Sequence, residues 1–437
     1  MSLSNLLTLG SVLGACVVTI ASSARAEPPV QGDLAPVVPD LEAILDANIS
    51  DEEARALFDE VRAVLQERLG PDTVSARDLY LGALLGMIEA ANRQSRADAG
   101  PLESVLPPSG MLLTRDQADQ LAADLDGTMS GLGIQFQYRP ETGSLVVLGV
   151  ISGSPSDRLG MRRGDIVVGA DHKTFAGRTQ EQVLSLLQGA TGTSVRLSVL
   201  RPLGNGTAAQ YTVGLQRSTF EVPSVVDSMS HTGVGHLGLK RIHRGSPDEV
   251  EAAMSRLRDQ GADRFVLDLR GSQGGCIHAA SAIADLFLPK GTVVLRTVEP
   301  GVGEKDLTTT RDVVAHEAVV VLVDRWTHGA AEALAAALQD HSRAYLIGET
   351  TLGTARTETL VDVGANFWLR IDSVRLETAD GRTWHGTGLS PDAAIQATAS
   401  PWYDGRGTAL DLDPQFQQAV HYLQSELGAV PIRAPAP

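Results

Sequence analysis

Cysteine is nearly absent from this 437-residue chain, which has only Cys16 and Cys276. If Cys16 leaves with an N-terminal leader, one thiol remains, so no intrachain disulfide can brace the fold and stability must rest on hydrophobic cores. After residue 26 no apolar run is long enough to span a bilayer. An excess of positive charge is missing too. Lys and Arg total 36 against 53 Asp and Glu, giving a formal charge of −17, which argues against nucleic acid or an anionic membrane surface as a partner. His231, His236 and His243 lie close in sequence, but their spacing fits no helix face and no Cys or carboxylate motif completes a ligand set, so no metal is expected. No glycine loop opens a helix with Lys-Ser or Lys-Thr, and no cofactor is expected.

What is present divides by composition. The length suits two or three domains. Residues 1–26 combine an apolar run, Leu6 to Ile20, with Ala24-Arg25-Ala26, where both alanines suit a cleavage site, so they read as a signal peptide and predict export to the periplasm or cell envelope. Leu13-Gly14-Ala15-Cys16 resembles a lipoprotein box, the weaker reading because the residues after Cys16 stay apolar. Residues 27–40 hold Pro28, Pro29, Pro36 and Pro39 and predict an extended tether. Residues 41–128 predict a helical region. Ser50 with Glu53 forms a capping box, Leu57, Val61, Val64 and Leu65 recur on one helical face, and Gly70 ends the segment. Further helices are expected near 76–90 and 114–125. Simple packing and homo-oligomer formation through these helices are both open.

From residue 129 to 217 the pattern changes to short β runs with glycine punctuation around one amphipathic helix, 179–187. Gly131-Leu132-Gly133-Ile134, Gly153-Ser154-Pro155 and Gly160-Met161-Arg162-Arg163-Gly164-Asp165 stand in the order and spacing that resemble a PDZ domain. The resemblance implies that a C-terminal peptide tail adds as a strand beside Ile134, that its carboxylate meets the N–H groups of Gly131, Leu132, Gly133 and Ile134, and that Val183 and Leu187 wall an apolar pocket. The alternative for Val183 and Leu187 is ordinary core.

Residues 218–427 alternate strands and helices at a spacing that predicts an α/β core with a mainly parallel sheet and crossover helices, and 428–437 form a tail. Asp268 to Gly275, Ala284-Asp285-Leu286-Phe287, Gly348-Glu349-Thr350 and Gly386-Thr387-Gly388-Leu389-Ser390-Pro391-Asp392 resemble the C-terminal processing, or tail-specific, serine peptidase family. That family uses a serine nucleophile, a lysine base and often a glutamine that orients the lysine. Carried over residue by residue, with the helix glutamate at Glu332, those positions are Gly329, Thr354 and Glu358 in this chain. Glycine forms no acyl-enzyme, and a threonine hydroxyl cannot replace a desolvated amine as base. The resemblance places oxyanion donors at the N–H of Gly274 or Gly275 and of Ala330, and these need no side chain.

Two substitutes for the missing nucleophile remain open, Thr327 with His328 and Cys276 with His278, although residues two apart on a helix do not face each other. Arg356 stays protonated and cannot serve as a base. The leading expectation is therefore an exported pseudopeptidase that binds C-terminal tails of exported proteins through its PDZ domain, as a scaffold or adaptor in envelope proteolysis and alongside an active relative. The alternative is an active serine-type endopeptidase with a rewired site.

Overall fold

The computed structural model describes residues 51–69, 80, 82–89, 92, 110–203, 206–272, 274–364, 366–396 and 410–425. The expected signal peptide, the tether, Gly70 and the 428–437 tail lie outside the described residues, as does Gln273. The described residues fall into two compact units, one within 51–92 and one within 110–425. In the smaller one, the helix Asp51–Leu69 precedes further helical residues, 80, 82–89 and 92. Leu57, Phe58, Val61 and Val64 recur at helical spacing as expected, yet remain 40–49% exposed.

The larger unit is organised by a six-stranded sheet in the order Val225–Met229, Gly235–Leu239, Arg264–Asp268, Ala318–Val323, Ala344–Gly348, Ala393–Ala394. Its first pair is antiparallel and the remaining pairs are parallel. The central strands are apolar at nearly every position because both faces are covered. Phe265, Leu267, Val319, Val321 and Val323 face one core with the helices Ser246–Asp259, Ile277–Ala284 and Ala330–Asp340. Val266, Val320, Leu322 and Ile347 face the other, where Phe416, Ala419, Val420 and Leu423 of the helix Pro414–Gln424 cover them. The helix Ala330–Asp340 is mostly alanine on its buried side, which lets it lie deep against the sheet.

A second sheet was not foreseen. Met111–Thr114, Arg356–Gly364, Val293–Glu299 and Gly303–Thr308 assemble antiparallel around the long strand Phe367–Glu377. The residues between 129 and 217 form the expected separate β domain. Its antiparallel sheet runs Ile134–Arg139, Ser144–Val150, Ile166–Ala170, Ser194–Leu203, Thr207–Gln216, with Lys173–Thr174 beside the third strand. The helix Gln180–Leu187 starts at a capping box made by Thr179 and Gln182. Both connections to the core run through a two-stranded ribbon, Thr128–Gly131 against Ser218–Glu221, so the domain stands on a paired stalk.

Candidate active site and peptide groove

The site lies at the carboxyl ends of the parallel strands, where open α/β sheets place ligands. After the strand Ala318–Val323 the chain turns through Asp324–His328 into Gly329, which caps the helix Ala330–Asp340 with φ +61° and ψ −123°. This is the sharp strand-to-helix turn that presents a nucleophile in hydrolases of this kind of architecture, held in a conformation that side-chain-bearing residues reach only with strain. At this turn the chain has glycine, with no side chain to present. A Cβ at 329 would meet Gly274 Cα at 3.0 Å. Gly329→Ser is therefore expected to lower stability by about 1–3 kcal/mol from the backbone conformation and crowding, read as a shift of the denaturation midpoint.

Glu332, fully buried one turn into the helix, ties Gly329 and Thr354 together. Its carboxylate accepts from Gly329 N (3.2 Å), Gly353 N (2.7 Å), Thr354 N (2.7 Å) and the Thr351 hydroxyl. Gly329 and Thr354 share one of its oxygens, so the positions read as nucleophile and base do converge. Burial pushes the Glu332 carboxyl up to about 7 against the pull of these donors. Thr354 Oγ1 is buried with no hydrogen-bond partner among the described residues. Glu358 sits on the strand Arg356–Gly364 with its carboxylate 3.6 Å from Arg370, and is not among the groups on Glu332.

The N–H groups expected as oxyanion donors differ in their bonding. Gly274 fails it as the loop stands, because its N–H donates to the His328 carbonyl (3.2 Å) while His328 N donates back to Ser272 O (3.2 Å). The N–H groups of Gly275 and Ala330 make no hydrogen bond among the described residues. Gly275 is required by crowding, since a Cβ there would lie 2.1 Å from Ile242 O.

Neither substitute nucleophile is assembled. Thr327 is fully buried, and its hydroxyl donates toward Leu269 O (2.9 Å) and Asp324 Oδ1 (3.1 Å) while accepting from Asp324 N (3.0 Å). The hydroxyl is a strut for the turn, its one proton shared between those two acceptors. His328 turns its Nδ1 to Trp326 O (3.0 Å) rather than to Thr327. Cys276 is half-buried as the cap of the helix Ile277–Ala284 and packs against the main core, while His278 is exposed.

In the β domain, one sheet edge and the loop before it are open. The strand Ile134–Arg139 ends its sheet, with no strand on its outer edge among the described residues. Gly133 has φ +75°, and a Cβ on it would lie 2.1 Å from Ser154 Cβ. The carbonyls of Leu132 and Gly133 are bound from behind by Ser156 N (3.1 Å) and Ile151 N (2.9 Å), while the N–H groups of Leu132 and Gly133 make no hydrogen bond among the described residues. Val183 and Leu187 depart from the expected role of pocket walls. They are 0% and 8% exposed and belong to the interior cluster with Leu145, Val147 and Leu197. The reason is helix phase: at i and i+4 they share the face turned to the sheet. Leu184, one position along, keeps partial exposure. The sequence signal for it was the same apolar helix, which does not by itself show which stripe faces inward.

Residues 233–395 match peptidase family S41 and residues 146–201 match the PDZ domain. The chain is therefore similar to peptidase family S41 over its α/β core and to PDZ domains over its β domain. It is 29% identical over 320 residues to the carboxyl-terminal-processing protease of Synechocystis sp., an overlap of 72% of this chain and 73% of that one. It is 26% identical over 298 residues to the carboxy-terminal processing protease CtpA of Bacillus subtilis, an overlap of 68% of this chain and 62% of the relative. Among solved structures, the photosystem II D1 C-terminal processing protease aligns at 21% identity over 87% of this chain and 99% of that chain, with a TM-score of 0.43.

Proposed function

We propose that this chain is an exported pseudopeptidase that holds C-terminal tails of exported proteins in its PDZ groove without cutting them, as a scaffold or adaptor in envelope proteolysis beside an active relative. One observation carries the reading: the nucleophile elbow is intact in backbone yet occupied by Gly329, with Thr354 at the base position and both tied to Glu332. The names of the relatives, protease and processing protease, supply the tail-processing context. The open edge of Ile134–Arg139 and the unbonded N–H groups of Leu132 and Gly133 support strand addition with carboxylate capture, and Leu184 replaces Val183 and Leu187 as the proposed pocket wall. Export rests on residues 1–26. The exposed stripe Leu57, Phe58, Val61 and Val64 supports homo-oligomer formation through the N-terminal helices. The buried, fully engaged Thr327 speaks against the rewired serine-type alternative.

The test is tail binding by the full chain, read by fluorescence anisotropy on labelled peptides with free or amidated C-termini. Gly133→Val is expected to weaken binding of the free-carboxylate peptide at least about tenfold, as loss of a charge-assisted hydrogen-bond site would. Leu184→Asp is expected to do the same by placing a charge in the apolar pocket. Equal affinity for free and amidated peptides would remove the carboxylate-capture reading.

A further inference from the structure

The stalk that joins the PDZ domain to the core is seated on a histidine whose surroundings suit the neutral ring. His243 is 5% exposed. Its Nδ1 accepts from Gly245 N (3.1 Å), and its Nε2 faces Val222 O (3.1 Å). A backbone N–H only donates and a carbonyl only accepts, so Nδ1 carries the lone pair and Nε2 the proton. The ring also lies against Gly127, where a Cβ would come within 2.5 Å of Nδ1. Gly127 and Val222 are the residues at which both strands of the stalk leave the core: Val222 N donates to Gly127 O (2.8 Å), and the next pair, Thr128 with Glu221, opens the ribbon. One imidazole thus touches both connections at their root.

We propose that His243 is a proton-operated latch that fixes the PDZ stalk to the core when neutral and loosens it when charged. A proton taken up from solvent at Nδ1 would oppose the Gly245 N–H, so that hydrogen bond is lost. The charged ring finds its counterion in Glu249, whose Oε1 is already 3.4 Å from Nε2, and turning the Nε2–H toward it leaves the Val222 carbonyl unpaired. Glu249 is fixed for this part because its other oxygen accepts from Ser224 N (2.8 Å), Ser224 Oγ (3.0 Å) and Val225 N (3.2 Å). The arginines at the junction pair with acids. Arg244 meets Asp126, and Arg241 lies 3.5 Å from Asp124, both acids at the end of the helix Arg115–Leu125. Glu221 lines a shallow cleft with Glu249 and Arg256, and Arg256 is held by Asp227 (2.7 Å). These carboxylates are the competing acid-sensitive groups that the experiment must separate from the ring.

The experiment is amide hydrogen exchange on the full chain at about pH 8 and about pH 5, either side of the range in which histidines change charge, with protection corrected for the intrinsic rate at each pH. On acidification, protection at 127–131 and 218–222 is expected to fall at least about tenfold relative to the strands Arg264–Asp268 and Ala318–Val323, a local opening rather than global unfolding. His243→Gln, which cannot take up the proton, is expected to flatten that response, while Asp126→Asn keeps it. No selective loss at the ribbon in the wild-type chain overturns the latch. So does a response that survives His243→Gln or disappears in Asp126→Asn. If His243→Gln loses core protection and does not fold, the wild-type ratio together with Asp126→Asn decides the matter.

Discussion

Replacing Arg270 with methionine is expected to remove about 3–5 kcal/mol of stability, because it strands a buried carboxylate without its counterion. The guanidinium is 1% exposed and forks onto Asp268, Nε to Oδ1 at 2.9 Å and Nη2 to Oδ2 at 2.6 Å. Its Nη1 reaches Asp413 (2.5 Å) and Gln415 (2.8 Å) at the start of the last helix. Asp268 ends a central strand, so this one side chain fastens the C-terminal helix to the sheet. Burial alone would raise the Asp268 pKa, but the charge and hydrogen bonds of Arg270, with help from His236, more than reverse it and hold the carboxyl well below its ordinary value. A depressed carboxyl stabilises the fold fully above its unfolded pKa, and the contribution is lost as pH falls through the folded value. The gap between wild type and Arg270→Met in urea titrations is therefore expected to be widest near neutral pH and to narrow in acid. A gap below about 1 kcal/mol, the scale of an exposed ion pair, would contradict this account of the network.

Glu332→Leu is expected to cost a similar amount, about 3–5 kcal/mol, since four donors lose their acceptor in a site that water does not reach and each buried orphan costs about 1–3 kcal/mol before relaxation. The loop Thr351–Thr354 and the elbow at Gly329 are held to each other by that carboxylate. The Thr351 hydroxyl also accepts from Leu389 N (2.8 Å), so the damage should spread to the 386–392 segment. The pH sign is opposite to that of Asp268. With the folded value raised to about 7 from the ordinary 4.5, the native state holds the proton more tightly than the unfolded chain, so this carboxyl's contribution to stability falls as pH rises from 4.5 through 7 and is level above. Wild type is accordingly expected to gain on Glu332→Gln as pH falls across that window. A difference independent of pH would mean that the carboxyl does not titrate there.

Fold class was legible where burial makes the residue pattern simple. Phe265 to Leu267 and Val319 to Val323 read as buried strands because both faces of the parallel sheet are covered, and the alanine-rich 330–340 helix has no other way to bury its length. The second sheet escaped because its strands lack such runs. Arg356–Gly364 and Phe367–Glu377 mix Arg, Asp and Glu with apolar residues on half-exposed faces, and their pairing is interrupted by register shifts at Thr357/Glu358 and Asp362/Gly364. Met111–Thr114 is four residues long and gains its strand identity from pairing with Phe367–Arg370.

The candidate site was legible to the same extent. The resemblance, carried over by residue spacing, singled out Gly329 and Thr354, and both N–H groups meet on Glu332. Spacing could not show that Gly274 spends its N–H on His328, that Thr327 is a strut, or that Val183 and Leu187 face inward. Each of these depends on the direction of a single bond within an element that was itself correctly anticipated.

The central claim is tested most directly by incubating the purified chain with an unfolded substrate bearing a C-terminal tag, and following complex formation and peptide products together by native and peptide mass spectrometry. A complex that depends on the free C-terminus, with no new cleavage products, is the predicted result. Products that accumulate with time would contradict the account, and their loss when Thr327 or Cys276 is replaced by alanine would assign the chemistry to a substitute nucleophile.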